Sequence, residues 1–249
     1  MSETGTGEKI LSIDIGGTLI KAAILNQQGE LQSVYHKTDT PKPATPQLLV
    51  SAIEELVDKF EDYQKVSVGF PGYVKDGTIY TCPQLGTEIF AGFNLNEQLE
   101  SVLKKPVKMI NDADMQGLGV CSGKGLELVI TLGSGLGSAI LYNGKLLPHL
   151  ELSQHPITKK NIHDSYIGAK TLTAIGLNKW NKRVKKILTV FKAVFNYDHL
   201  YIGGGNAKEI DFDLDENIRL VNNRDGIKGG AKLWAAKEKY HVYTTLPDK

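Results

Sequence analysis

Ile10-Leu11-Ser12-Ile13-Asp14-Ile15-Gly16-Gly17-Thr18-Leu19-Ile20-Lys21-Ala22-Ala23-Ile24-Leu25 is the stretch whose reading decides the fold. Apolar and β-branched residues crowd into a short run, stop at two glycines and resume as a second run, which reads as strand, tight turn, strand. Further on, Ile130-Thr131-Leu132-Gly133-Ser134-Gly135-Leu136-Gly137-Ser138-Ala139-Ile140-Leu141 follows the same plan, with its Ala-Ile-Leu ending 116 residues after the first (Ala23 to Ala139). A turn follows each copy, at residues 26–29 and at Asn143-Gly144, the latter a strong hairpin signal. Two copies of one supersecondary unit imply two similar lobes.

Outward from these copies, residues 31–35 read as a third strand. The three prolines in residues 38–46 require an extended connection, because proline lacks the amide hydrogen that a helix or inner strand uses. Leu49, Ile53, Leu56, Val57 and Phe60 fall at helical spacing. A buried strand at 66–70 leads through Pro71-Gly72 into a Gly-rich loop reaching Gly92, then a helix at 95–103. A strand at 107–110 follows and delivers Asn111-Asp112-Ala113-Asp114 to its carboxyl end. Beyond the second copy, Val184, Ile187, Leu188, Phe191, Val194 and Phe195 mark an amphipathic helix. Residues 199–202 read as a strand ahead of Gly203-Gly204-Gly205, and a last helix is expected at 227–239. Strands alternating with helices in this way give an α/β fold with mixed sheets. The expected division is an N-terminal lobe, 1–111, joined by a C-terminal helix within 231–249, and a C-terminal lobe, 112–230.

The chain has 249 residues, 41% hydrophobic and 23% charged, which is an ordinary globular composition. Lys and Arg number 29 against 28 Asp and Glu, so no excess of positive charge drives binding to nucleic acid or to acidic membranes. Cys82 and Cys121 alone make neither a disulfide framework nor a thiolate zinc site, and they fit a reducing compartment. No apolar run is long enough to span a membrane, and MSETGTGEK lacks the apolar stretch of a signal peptide. The expected location is the cytoplasm.

Asp14-Ile15-Gly16-Gly17-Thr18 has a chemical reading and a plain one. Glycines let consecutive amides point at one anion, and Thr18 adds a hydroxyl. A carboxylate beside a phosphate repels it unless a divalent cation lies between, directly or through water, so Asp14 is the candidate Mg²⁺ ligand. The plain reading is a hairpin with a capping aspartate. The recurrence at Thr131, Gly133, Ser134 and Gly135 favours phosphate binding, two such nests across a cleft holding successive phosphates of a donor. Gly203, Gly204 and Gly205 are a further candidate contact, or an ordinary strand-to-helix turn. Asp112 is the candidate base for a hydroxyl proton, with Asn111 orienting the acceptor; both residues also suit a helix cap. His149, His155 and His163 with Glu151 match no zinc spacing. Lys182, Arg183, Lys185 and Lys186 are read as a solvated helix face, or as a surface that attracts a polyanionic donor.

With these residues in place, the sequence resembles the ROK sugar kinases, and among them the short polyphosphate glucokinase branch. The resemblance is carried by Asp14 to Thr18 with Ile20-Lys21, by Asn111-Asp112-Ala113-Asp114, by the Gly-rich run from Thr131 to Ser138, by Glu151-Leu152, and by Tyr201-Ile202-Gly203-Gly204-Gly205. It implies an actin-like (ribonuclease H-like) two-lobed ATPase fold with a sugar between the lobes. It also implies Mg²⁺, polyphosphate or ATP as phosphoryl donor, Asp112 as base, no structural zinc and a homodimer. Lys21 joins the donor side. On the sugar side the resemblance points to Gln84, Asn111, Asp112, Glu151, Gln154 and Asp164.

Several of these positions depart from the family pattern. Gln154 stands where a histidine is usual unless His155 takes its place, Gln84 replaces an asparagine, Phe90 a tryptophan and Asp164 a glutamate. The expected function is transfer of a phosphoryl group to a hexose hydroxyl, glucose-like and at the 6-position. The alternative is a sugar or nucleotide sensor of the same fold. Repressors of the family carry a DNA-binding segment ahead of the first lobe, and the nine residues before the first strand argue against that role.

Overall fold

The computed structural model describes residues 7–222 and 226–235. They fall into two compact units. One runs to Met115 and takes up the chain again from Ile227; the other runs from Gln116 to Gly226. Of the last helix expected within 231–249, residues 236–249 lie outside the described residues.

In the first unit, β1 (Ile10–Ile15), β2 (Leu19–Leu25), β3 (His36–Asp39), β4 (Lys65–Phe70) and β7 (Val107–Asn111) form one sheet in the order β3-β2-β1-β4-β7. β1 and β2 are antiparallel with Ile15 opposite Ile20, whereas β1, β4 and β7 run parallel. Helix α1 (Pro46–Val57) begins at Thr45, whose hydroxyl accepts from the Leu48 amide, with Pro46 in the first turn where no amide hydrogen is needed. Its Leu49, Ile53 and Leu56 join Leu11, Ile13, Val66 and Val68 in the core, with α3 (Leu95–Leu103) contributing Leu95 and Leu99.

The second unit repeats the plan. β8 (Leu126–Leu132), β9 (Leu136–Tyr142), β10 (Lys145–Leu146), β11 (His199–Gly203) and β12 (Ile218–Leu220) lie in the order β10-β9-β8-β11-β12, again with two antiparallel pairings followed by two parallel ones. Asn143 and Gly144 both have positive φ, as the hairpin between β9 and β10 requires. Helix α7 (Leu177–Phe195) buries Trp180, Val184, Ile187, Leu188 and Phe191 against this sheet.

Four local expectations are corrected. The third strand is β3, at 36–39 instead of 31–35: Leu31 and Val34 are exposed, and the backbone pairs with Leu19 to Ala22 only from His36 onward. Accordingly the first two residues of the connection assigned to 38–46 are strand. The loop after Pro71 is not loop throughout, because β5 (Val74–Lys75) and β6 (Thr78–Ile79) form a hairpin around Asp76-Gly77, both at positive φ, and Thr87–Phe90 is a helical turn, α2. Val194 is 64% exposed, since it falls off the buried stripe of α7, which starts seven residues earlier than the apolar pattern indicated.

Candidate functional site

Parallel strands present their carboxyl ends together, which is where open α/β sheets bind ligands. In the first unit those ends are Asp14 to Gly16 at the end of β1, Phe70 to Gly72 at the end of β4, and Asn111-Asp112 at the end of β7, where α4 (Asp112–Val120) begins. Asp14 pairs with Gly69 across the sheet, and a Cβ added to Gly69 would lie 3.3 Å from the Asp112 Cα. Asp14 and Asp112 therefore flank β4 on neighbouring strands. Lys21 Nζ sits 3.4 Å from Asp14 Oδ2 and partly balances its charge.

The turn between β1 and β2 closes through the Gly16 amide, which donates to Leu19 O at 2.9 Å. Thr40, missed in the sequence, secures it: its hydroxyl donates to Gly16 O at 2.6 Å and its amide to Thr18 O at 2.9 Å. The amides of Gly17 and Thr18 have no backbone acceptor among the described residues. Unfilled donors of this kind are what an anion satisfies.

Asn111 is 5% exposed and fully engaged. Its Oδ1 accepts from the amides of Ala113 (2.8 Å) and Asp114 (3.1 Å), and its Nδ2 donates to Gly72 O (3.1 Å). It caps α4 and ties that helix to the loop after β4, which fixes where Asp112 stands. Asp112 Oδ1 accepts from the Ala113 amide at 2.8 Å. Gln84 lies exposed in the turn before α2, and Phe90 is buried against Phe70, ring centroids 6.0 Å apart, so Phe90 is core and presents no face to a ligand.

The second unit has its own set. The turn from Gly133 to Gly135 closes through Gly133 N to Gly135 O (3.0 Å), leaving the Ser134 and Gly135 amides without a backbone acceptor among the described residues. Thr131 stands where Asp14 stands in the first copy, and its hydroxyl accepts from the Gly137 amide at 3.1 Å. Asn206 Nδ2 donates to Gly133 O (3.1 Å), and Thr131 pairs with Gly203, so the Gly133 turn and the triple glycine meet at adjacent strand ends.

The three glycines differ in what holds them there. A Cβ on Gly203 would lie 2.4 Å from Gln116 Nε2, and one on Gly204, at φ +87, would lie 2.3 Å from Leu132 O. Gly205 and Gly133 have neither positive φ nor any atom within 4 Å of an added Cβ, so the protein's own packing does not require glycine at either.

Glu151 is half-buried. Its Oε1 accepts from Ser153 Oγ at 2.6 Å, its Oε2 lies 3.6 Å from His149 Nε2, and Gln154 Nε2 donates to Ser153 Oγ at 3.0 Å. Burial pushes the Glu151 carboxyl up, but the nearby His149 imidazole and the hydrogen bond from Ser153 outweigh it and hold the group below the usual carboxylate range. Ser138 Oγ donates to Leu150 O at 2.8 Å, fastening this segment to β9. Asp164, in α5 (His163–Ile167), uses Oδ1 to accept from the Leu136 amide at 2.7 Å, which places it on the backbone of the Gly133 turn. His163 is buried against Phe191, its pKa lowered by burial, while His155 is exposed.

Among the described residues no group of three or more His, Cys, Asp or Glu side chains gathers to hold a metal. Mg²⁺ carried on substrate phosphates needs only one or two carboxylates and water. Asp14, half-buried at a strand end beside two unfilled amides, fits that arrangement.

A model of the ROK family matches residues 10–148. The chain belongs to the ROK family. It is 31% identical over 235 residues to a polyphosphate glucokinase of Mycobacterium leprae, spanning 88% of this chain and 72% of that protein. A polyphosphate glucokinase of Mycobacterium tuberculosis is 30% identical over 221 residues, covering 85% and 82%. Among solved structures, a polyphosphate/ATP-glucomannokinase from Arthrobacter sp. strain KM superposes with TM-score 0.83 at 28% identity, over 92% of this chain and 99% of that one. The duplicated α/β architecture of this ROK protein is thus the actin-like fold expected from the sequence.

Proposed function

We propose that this ROK protein is a cytoplasmic sugar kinase that transfers the terminal phosphoryl group of polyphosphate or ATP to the 6-hydroxyl of a glucose-like hexose. It is a phosphotransferase with an alcohol group as acceptor. The observation that carries the reading is the repeated glycine turn, each copy at the carboxyl end of parallel strands with unfilled amides, together with Asp112 directly after β7, the second strand over from the one that carries Asp14. Similarity to polyphosphate glucokinases over most of the chain supports it. No described helix is long and apolar enough to cross a membrane.

In this reading the amides of Gly17 and Thr18, with Lys21, bind donor phosphate in the first unit, and those of Ser134 and Gly135, with the open edge at Gly205, do so in the second. Asp112 accepts the proton of the sugar hydroxyl as its oxygen attacks phosphorus. The bond from phosphorus to the bridging oxygen breaks, and the shortened polyphosphate or ADP leaves. Asp14 would hold Mg²⁺, directly or through water, and the ion when bound would neutralise charge on the donor. Asn111 acts as a positioning residue for Asp112. Glu151, kept ionised by His149 and Ser153, accepts hydrogen bonds from sugar hydroxyls, with Gln154, Gln84 and Asp164 lining the acceptor side. Those last positions set which sugar is taken, because a hydroxyl that finds a hydrogen-bond partner there is favoured over one that does not.

A matrix of ATP and polyphosphate against common hexoses and amino sugars tests the proposal. Phosphorylated glucose or a close relative is the predicted product. Sugar binding with no phosphorylated product from any donor would instead support the sensor reading, which the engagement of Asp164 by the Leu136 amide favours.

A further inference from the structure

α7 carries its charge one-sidedly. From Ser165 to Tyr197 the sequence has no Asp or Glu and seven basic residues, five of them between Lys179 and Lys186, in a chain with 29 Lys and Arg against 28 Asp and Glu. A merely solvated face mixes both signs. Of the seven, only Lys192 has an acidic partner among the described residues, Asp215 at 2.6 Å.

The cations also converge. Arg183 Nη1 donates to Tyr166 O at 3.0 Å while its guanidinium carbon lies 4.4 Å from the centre of the Tyr166 ring, and Lys186 Nζ lies 5.9 Å from the same ring. Tyr166 leads directly to the second glycine turn. At Gly168 the backbone passes so close that a Cβ would lie 2.4 Å from Ser134 O, and the Ala169 amide donates to Gly133 O at 3.0 Å. Basic side chains without acidic partners therefore begin within a few residues of the turn assigned to donor phosphates, all inside one unit. From Lys179 to Lys186 they extend along about 10 Å of helix.

ATP ends in a nucleoside, whereas a linear polyphosphate continues as a row of negative charge beyond its reacting end. We propose that the basic face of α7 beside Tyr166 holds the distal part of an inorganic polyphosphate chain whose reacting end lies at the Gly133 turn. The inference rests on the kinase reading above and adds a second, chain-length-dependent contact for one class of donor.

The test removes charge from two exposed residues outside the catalytic machinery, Lys182→Gln with Lys186→Gln. Titration with long-chain polyphosphate in the absence of sugar is compared with KM values for long-chain polyphosphate, tripolyphosphate and ATP, at several salt concentrations. The double variant is expected to bind long chains about tenfold more weakly with a shallower salt dependence, its KM for ATP and tripolyphosphate staying within about twofold.

Wild-type protein binding long chains no more tightly than tripolyphosphate would overturn the proposal while leaving an ATP-dependent kinase intact. Lysine-dependent polyphosphate binding without turnover of any donor would support the surface and overturn the kinase reading. A single-stranded oligonucleotide that binds as tightly through the same lysines would overturn the proposal in favour of nucleic acid.

Discussion

Gly204 and Gly205 are neighbours with different reasons to be glycine. At φ +87, with Leu132 O 2.3 Å from an added Cβ, Gly204 is demanded by the fold, and Gly204→Ala should cost about 2 kcal/mol or more in chemical denaturation. Gly205→Ala should leave the denaturation midpoint unchanged and raise the KM for the phosphoryl donor severalfold, because its Cβ enters only the space assigned to the donor. Equal loss of stability in the two variants would remove Gly205 from the site. The sequence offered three identical letters there, and nothing local distinguishes them.

Glu127 was equally hidden. It is fully buried, yet it accepts from the amides of Ser122 (2.7 Å) and Gly123 (2.8 Å) and from the Tyr201 hydroxyl (3.0 Å). Burial raises its pKa, but these bonds outweigh burial and leave it lowered. Its stabilisation is therefore present above the unfolded carboxylate value and lost as pH falls through the lower folded one. Glu127→Gln should cost about 1–3 kcal/mol near neutrality, because an amide nitrogen then faces a backbone donor. The variant should also show a flatter loss of stability on acidification, measured by denaturation across the acid range.

Elements follow from pattern where one face is buried and from turn chemistry elsewhere. α3 was readable to its ends because Asn94 caps it and Leu95 and Leu99 face the core. The β5–β6 hairpin was signalled only by Asp76-Gly77, a two-residue cue inside a stretch that otherwise reads as loop. The segment from Ile227 through the helix Gly229–Ala235, α8, explains two buried serines in strands β1 and β4. Ser67 Oγ donates to Gly230 O at 2.6 Å and accepts from Trp234 Nε1 at 2.9 Å, while Ser12 Oγ donates to Ile227 O at 2.8 Å. Small side chains on both partners let helix and sheet approach closely. A Cβ on Gly230 would lie 2.2 Å from Ser12 Oγ and 3.0 Å from the Ser67 Cβ, so Gly230→Ala should destabilise the protein by about 1–3 kcal/mol through overpacking. An unchanged denaturation midpoint would show that α8 does not pack as described.

At the scale of the whole molecule, the duplication was legible because both copies keep the same plan of strand, glycine turn and strand, and both sheets then follow the same order of two antiparallel and two parallel pairings. Less was legible of the candidate site. Asp14, Asp112 and the glycine turns declared themselves by motif, whereas Thr40, Ser153 and His149 act through contacts made far from any motif or between neighbours whose orientation a sequence does not give. Asn111 read equally as sugar ligand or helix cap, and both ends of its amide are used by the protein.

The most direct measurement is the rate of sugar phosphorylation by Asp112→Asn, with donor binding followed separately. Turnover should fall by about 10² to 10⁴ with donor affinity retained, as expected when a positioned proton acceptor is removed. A loss smaller than about tenfold would contradict that role.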